Sequence, residues 1–186
     1  MAEFKKSLKG QFLLDGGMLH GSFFHRSVVL ICQHDADGAF GLVLSKDSGK
    51  KVGEAVIADL PEALRDHPLF IGGPVQPGTL SYLHTDTFIP SANVLPNLAL
   101  GLAVDTLMDL GESYSATQKI RLFAGYSGWG GGQLEDEMER KAWLLHPASI
   151  ELVFDADPAA LWKTIMCEKG PVYRILSQGP EDLSWN

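Results

Sequence analysis

Residues 123–139, FAGYSGWGGGQLEDEME, crowd five glycines (Gly125, Gly128, Gly130, Gly131 and Gly132) around Tyr126 and Trp129. A strand-like run, Lys119 to Ala124, leads in, with Ile120, Leu122 and Ala124 alternating against Lys119, Arg121 and Phe123. An acidic helical pattern, Gln133 to Lys141, leads out, with Leu134 and Met138 on one face. So many glycines in one place imply positive φ or a close backbone approach. The stretch reads as a shaped strand-to-helix corner and as the first place to look for a site.

Strand, glycine-rich turn and helix is an arrangement that can hold phosphate on free N–H groups. The fingerprints fail here. A dinucleotide-binding frame starting at Gly128 needs glycine where Gln133 stands, and no Lys-Ser or Lys-Thr follows for a P-loop. Glu135, Asp136 and Glu137 already complement the helix dipole and would repel an anion. Two readings remain: a structural turn with Trp129 folded back and Glu135 capping, or a pocket for an uncharged or cationic ligand or a partner protein.

The chain can afford such a corner because it is long enough to need no staples. At 186 residues it fits one domain, which buries roughly 70% of its unfolded surface. Fifteen Lys and Arg against 23 Asp and Glu leave a net charge of -8. That balance argues against direct nucleic-acid binding, which draws on clustered Lys and Arg. The one basic cluster, Lys5, Lys6 and Lys9, reads as a solvated tail. Two cysteines make no framework, no signal peptide is recognisable, and no run approaches a membrane span. A reduced, cytoplasmic protein without cofactor or membrane contact is expected.

Along the chain, Gln11 to Leu14 predicts a strand and Asp15-Gly16-Gly17 its turn. Ser27 to Gln33 and Ala39 to Ser45 predict a hairpin around His34-Asp35-Ala36-Asp37-Gly38. Lys46 to Lys51 reads as a connection, and Val52 to Leu60 as a helix limited by Pro61. Pro68 to Ile71 and Leu80 to His84 read as a second hairpin-like pair. Ser91 to Val104 reads as strand pieces before a helix, Asp105 to Leu110, stopped by Gly111. Ala142 to Leu145 and Ser149 to Phe154 read as strands. Asp157 and Pro158 open a helix carrying Leu161, Trp162, Ile165 and Met166 on one stripe, and Val172 to Leu176 adds a last turn. Without a regular βα repeat, the expected class is α+β, a mostly antiparallel or mixed sheet with helices packed on it. The expected boundaries are a flexible segment at 1–10, a single domain at 11–178 and a flexible tail at 179–186.

Other residues invite chemistry. Cys32 and His34, two apart on a strand, are expected to face the same way and could pair as thiolate and imidazolium; His84 is a second possible partner. The plainer reading of Cys32 is a buried, slowly reacting thiol. None of the six histidines has a recognised metal spacing, and no metal is expected. Gly72-Gly73-Pro74 could expose a small anion nest or simply redirect the chain. Ser127 sits in no nucleophile elbow.

Taken in order, Phe12-Leu-Leu, Phe24-x-Arg26-Ser-Val-Val, Ile31-Cys-x-His34, Gly38-Ala-x-Gly41, Gly72-Gly-Pro-Val75, Leu83-His84, Gly125-Tyr-x-Gly-Trp129, Gly132-Gln-Leu-Glu135 and Ala142-Trp-Leu resemble the AlgH/YqgE family of bacterial proteins. The resemblance runs from about Gln11 to Trp162. It implies a bent, bifurcated sheet closing into a pseudo-barrel, no established biochemical activity, and a link to transcriptional control. Two departures stand out: Gly17 to Phe24 replaces the family's Pro-x-Leu-x-Asp-Pro-x-Phe pattern, and Ser45 replaces an Asn.

The expected function is that of a non-enzymatic binding or regulatory domain with a small-molecule or protein partner. Its candidate surface is Gly72, Gly73, Pro74, Gly125, Tyr126, Gly128, Trp129, Gln133 and Glu135, with the His34 turn. The alternative is a small enzyme using Cys32 with His34 or His84 as nucleophile or acid–base pair.

Overall fold

A computed structural model describes residues 6–56, 59–86, 92–113, 115 and 117–179. In chain order the elements are β1 (Gln11–Asp15), β2 (Val28–Asp35), β3 (Gly38–Val43), β4 (Asp47–Lys51), α1 (Val52–Ala55), α2 (Glu62–Arg65), β5 (Pro68–Ile71), β6 (Val75–His84), β7 (Ala92–Leu95) and β8 (Leu98–Gly101). They continue with α3 (Val104–Glu112), β9 (Ile120–Gly130), α4 (Gln133–Glu139), β10 (Trp143–Pro147), α5 (Ile150–Phe154), α6 (Leu161–Glu168) and α7 (Pro171–Gln178).

The fold is α+β, a curled half-barrel sheet with helices on both faces. The main strand order is β10-β1-β2-β3-β9-β6-β8-β7, all antiparallel neighbours. The branch lies on one edge of β9. Its N-terminal half pairs in parallel with β5, from Leu69↔Leu122 to Ile71↔Ala124, and its C-terminal half pairs with β3. The curl brings the two ends of the sheet onto one core. Val94, Leu98 and Leu100 share a buried cluster with Phe12 and Leu30, filled by Leu161, Trp162, Ile165 and Met166 of α6. On other faces, α1 to α3 cover Leu69, Tyr82 and Leu122, and α4 sets Leu134 on Leu13, Val29, Ile31 and Val43. Among the described residues, no helix is long and apolar enough to cross a membrane.

Several local expectations are corrected. The glycine stretch is mostly strand: β9 continues to Gly130, and only Gly131 and Gly132 turn before α4. The polar connection at 46–51 carries β4, which pairs with β5. The second hairpin does not form, because β5 joins β4 and β9 while β6 joins β8 and β9. Residues 150–154 are helical because Ser149 Oγ caps the segment, accepting from Leu152 N–H at 3.2 Å. Gly111 lies inside α3: a Cβ there would stand 2.6 Å from Pro61, so this glycine serves helix approach. Asp157 caps a turn through Ala159 N–H, and α6 starts at Leu161. The helix expected at 52–60 ends at Ala55; residues 57 and 58, Ser91 and the tail from 180 lie outside the described residues.

A close backbone approach explains the glycine demand at the middle of β9. Gly125 has φ +67°, and a Cβ on Gly73 would lie 2.1 Å from the Tyr126 carbonyl. Here β6 departs from regular pairing, between Val75↔Tyr126 and Leu80↔Ala124. Gly73→Ala is expected to lower stability by more than about 3 kcal/mol, because backbone must move. Gly130→Ala, whose Cβ meets nothing within 4 Å, should change it by less than about 1 kcal/mol. Urea unfolding midpoints of the two variants provide the comparison.

Candidate functional site

Trp129 folds back from β9 onto the outer face of the sheet, buried against Phe24 and Trp143 with ring centroids 6.2 Å away in each case. A buried indole N–H needs an acceptor. One carboxylate serves two of them: Glu137 Oε2 accepts from Trp129 Nε1 at 2.9 Å and from Trp143 Nε1 at 2.7 Å. Its other oxygen accepts from Gln133 Nε2 at 3.0 Å, while Gln133 Oε1 accepts from Gly130 N–H at 3.1 Å. Glu137 thus ties the end of β9, α4 and β10 together. It was not among the sequence candidates; two tryptophans flanking an acidic helix were the available signal.

Glu135 does not cap the helix, whose N-cap is the left-handed Gly132. It turns to His34, whose Nε2 lies 2.9 Å from Glu135 Oε1. Leu8 N–H donates to His34 Nδ1 at 2.9 Å, and Ser7 Oγ donates to the His34 carbonyl. Since Nδ1 accepts, the proton resides on Nε2 and is given to the carboxylate. The pair borders a cleft of about 240 Å³ lined by Lys6, Leu8, His34, Glu135, Met138 and Glu139.

The expectation that Cys32 and His34 share a face is not met. Pairing shifts between Ile31↔Gly41 and Gln33↔Phe40, so Cys32 occupies a bulge. Cys32 enters the inner core with Leu30 and Leu42, whereas His34 aligns across the strands with Ala39 and Trp129 on the α4 side. Burial pushes the Cys32 thiol far above its ordinary pKa. His84 lies with Tyr82, ring centroids 5.9 Å apart, on the face of the α1–α3 cluster, and burial lowers its pKa.

The remaining candidates divide. Gly72 and Gly73 do meet Gly125 and Tyr126, but through backbone packing. Gly72 N–H donates to Ala124 O, and Gly72 O accepts from Val43 N–H and from Ser127 Oγ at 3.0 Å. Those groups are committed to the sheet, which speaks against an anion nest. Tyr126 stacks on Phe40 at 4.8 Å toward the inner core, next to the exposed Gly128 and away from Trp129. Pro74 and Gln133 are exposed. The sequence candidates therefore occupy two faces of β9, with His34, Trp129, Gln133 and Glu135 gathered at the α4 side. Among the described residues, no group of three or more His, Cys, Asp or Glu is arranged to hold a metal.

This fold is shared with known proteins. An AlgH-like family model matches residues 12–174. The chain belongs to the AlgH-like family. UPF0301 proteins of Chlorobium phaeobacteroides and Chlamydia abortus are each 36% identical to it, the alignments covering 96% of this chain and 96% and 95% of theirs. The solution structure of AlgH from Pseudomonas aeruginosa superposes with a TM-score of 0.74 at 28% identity, covering 95% of this chain and 98% of that one. A Corynebacterium diphtheriae crystal structure, TM-score 0.75 at 23% identity and covering 95% of each chain, shares the fold. The names of these relatives assign no reaction.

Glu137→Ala would strand two buried indole N–H groups and should cost about 2–4 kcal/mol in urea unfolding. Glu137→Gln, keeping an acceptor, should cost clearly less. Cys32 in the native protein should alkylate with iodoacetamide at least about tenfold more slowly than the half-buried Cys167. Peptide mapping after timed labelling measures both rates.

Proposed function

We propose that the protein is a non-enzymatic, cytoplasmic binding and regulatory domain, built as one unit over residues 11–178. It takes a protein partner at the cleft beside α4 and influences transcription indirectly, without itself touching DNA or a membrane. The observation that carries this reading is the pairing of an apolar cleft with a fully engaged histidine. Leu8 and Met138 supply the apolar walls, Glu135 and Glu139 outnumber Lys6 on the rim, and His34 uses both ring nitrogens in holding the walls in place. A side chain of roughly leucine or methionine size, flanked by a basic residue, matches that chemistry.

The net charge of -8 supports the absence of direct DNA contact. The thiol alternative finds less support, because Cys32 is inside the core and neither histidine stands on its side. Met138→Lys places a charge in the cleft wall on a half-buried position. As baits in bacterial extract, the wild-type chain should retain a protein that the Met138→Lys chain retains about tenfold less, a loss ordinary for a contact residue. Equal retention by two equally folded baits removes the proposal.

A further inference from the structure

His34 is where the N-terminal segment meets the body of the domain. Its side chain is 2% exposed. Leu8 N–H donates to Nδ1 and Ser7 Oγ to the His34 carbonyl, each at 2.9 Å, and Lys9 N–H donates to Ser7 Oγ at 3.3 Å. We propose that residues 6–9 form a pH-sensitive strap: neutral His34 latches it down, and a proton on Nδ1 releases it and withdraws the Leu8 wall of the cleft beside α4. As regulation of that cleft, this rests on the partner-binding role proposed for it; the latch itself does not.

An imidazole nitrogen accepts a hydrogen bond only while it carries no proton. Glu135 settles which nitrogen is bare. Its Oε1 lies 2.9 Å from Nε2, which keeps the proton and leaves Nδ1 to accept from Leu8. A second proton can go only to Nδ1. It then points at the Leu8 N–H, donor against donor, in a buried place. Buried donors without acceptors are costly, and more so when charged. Turning the ring over offers no escape, since both nitrogens of an imidazolium donate.

Among the described residues, Glu135 and Glu139 of α4 and Lys6 of the strap share the cleft with His34. Lys9 is exposed on the strap, Asp35 and Asp37 are exposed where β2 turns to β3, and β3 and β9 bring only the uncharged Ala39 and Trp129 alongside. Glu135 decides among these because it touches the ring. Its carboxylate keeps its bond to Nε2 and strengthens it when the ring is charged.

The strap is built to part at one end. Lys6, Ser7 and Lys9 are exposed and Leu8 is half-buried on the Trp129 cluster, so little apolar surface holds it. Gly10 is fixed: its N–H donates to Ile31 O at 2.8 Å and its carbonyl accepts from Ala148 N–H. At φ +77°, a Cβ on Gly10 would stand 2.7 Å from Leu95. Movement is thereby confined to the residues before it. The docked state holds one proton fewer than the released state, so docking strengthens as pH rises and is lost as it falls.

The test is NMR on the full-length, isotope-labelled protein between about pH 8 and about pH 5, the range in which an imidazole ordinarily changes charge. The His34 ring nitrogens report the proton, and the Leu8 amide reports the latch. At the upper end Nδ1 should be bare and the Leu8 amide protected from exchange. As Nδ1 takes its proton, Leu8 exchange, corrected for the intrinsic effect of pH, should rise at least about tenfold while Gly10 stays protected. Glu135→Gln removes the charge that favours the protonated ring, so release should need a lower pH. His34→Asn sets a carbonyl oxygen near the position of Nδ1 and cannot ionise, so its strap should stay docked throughout. A Leu8 amide that remains protected while Nδ1 gains its proton, a His34 that keeps one charge throughout, or a His34→Asn strap that still loosens at low pH overturns the latch. Release at an unchanged pH in Glu135→Gln overturns the part given to Glu135. The wild-type titration decides even where a variant folds poorly. No partner is present, so a failed bait experiment leaves the latch standing, and a failed latch leaves the partner to be judged by the baits.

Discussion

The contact on which the structure depends is backbone against backbone: Gly72 and Gly73 pressed onto Gly125 and Tyr126. Any side chain on Gly72 or Gly73 would collide, at 2.4 Å from Gly125 O or 2.1 Å from Tyr126 O. The approach lets Gly72 O accept from both Val43 N–H and Ser127 Oγ, joining the end of β3 to β9. It also marks where β9 changes neighbour, leaving β5 and taking up β3. A sheet that branches at one point and then twists can wrap one core from both ends. The half-barrel is the result.

Beyond that point β9 carries its glycines as a strand, and side chains of opposite character part company. Tyr126 goes inward to Phe40, and Trp129 goes outward to Phe24 and Trp143. Covering Trp129 and Trp143 requires an acceptor for both indoles, and Glu137 provides it from α4. Fixing α4 also fixes Glu135 against His34. The outer cleft is thus a consequence of how two tryptophans are buried. His34 ties its walls together through Leu8 and Glu135, while its rim is open, a combination suited to recognition.

The bulge at Cys32 has an equally large effect. Strand periodicity places Cys32 and His34 on one face. One extra residue between Ile31 and Gln33 reverses the alternation and separates thiol from imidazole across the sheet. Nothing in SVVLICQH announces that extra residue, because both faces of β2 are apolar and either register would bury well.

By itself the sequence determined the α+β class, the hairpin of β2 and β3, the helix of α6 with its apolar stripe, and the turn before α4. These rest on local signals: alternation, helical spacing and turn residues. It also pointed to His34, Gly72, Gly73, Gly125, Trp129 and Glu135 as unusual. Tertiary structure decided why they are unusual. The pairing of β5 with β9, the helical state of 150–154, the service of Glu137 to two indoles and the meeting of Arg26 with α6 all join residues far apart in the chain. Such contacts follow from which backbones can approach and which buried donors lack acceptors, and neither is readable until the sheet has curled.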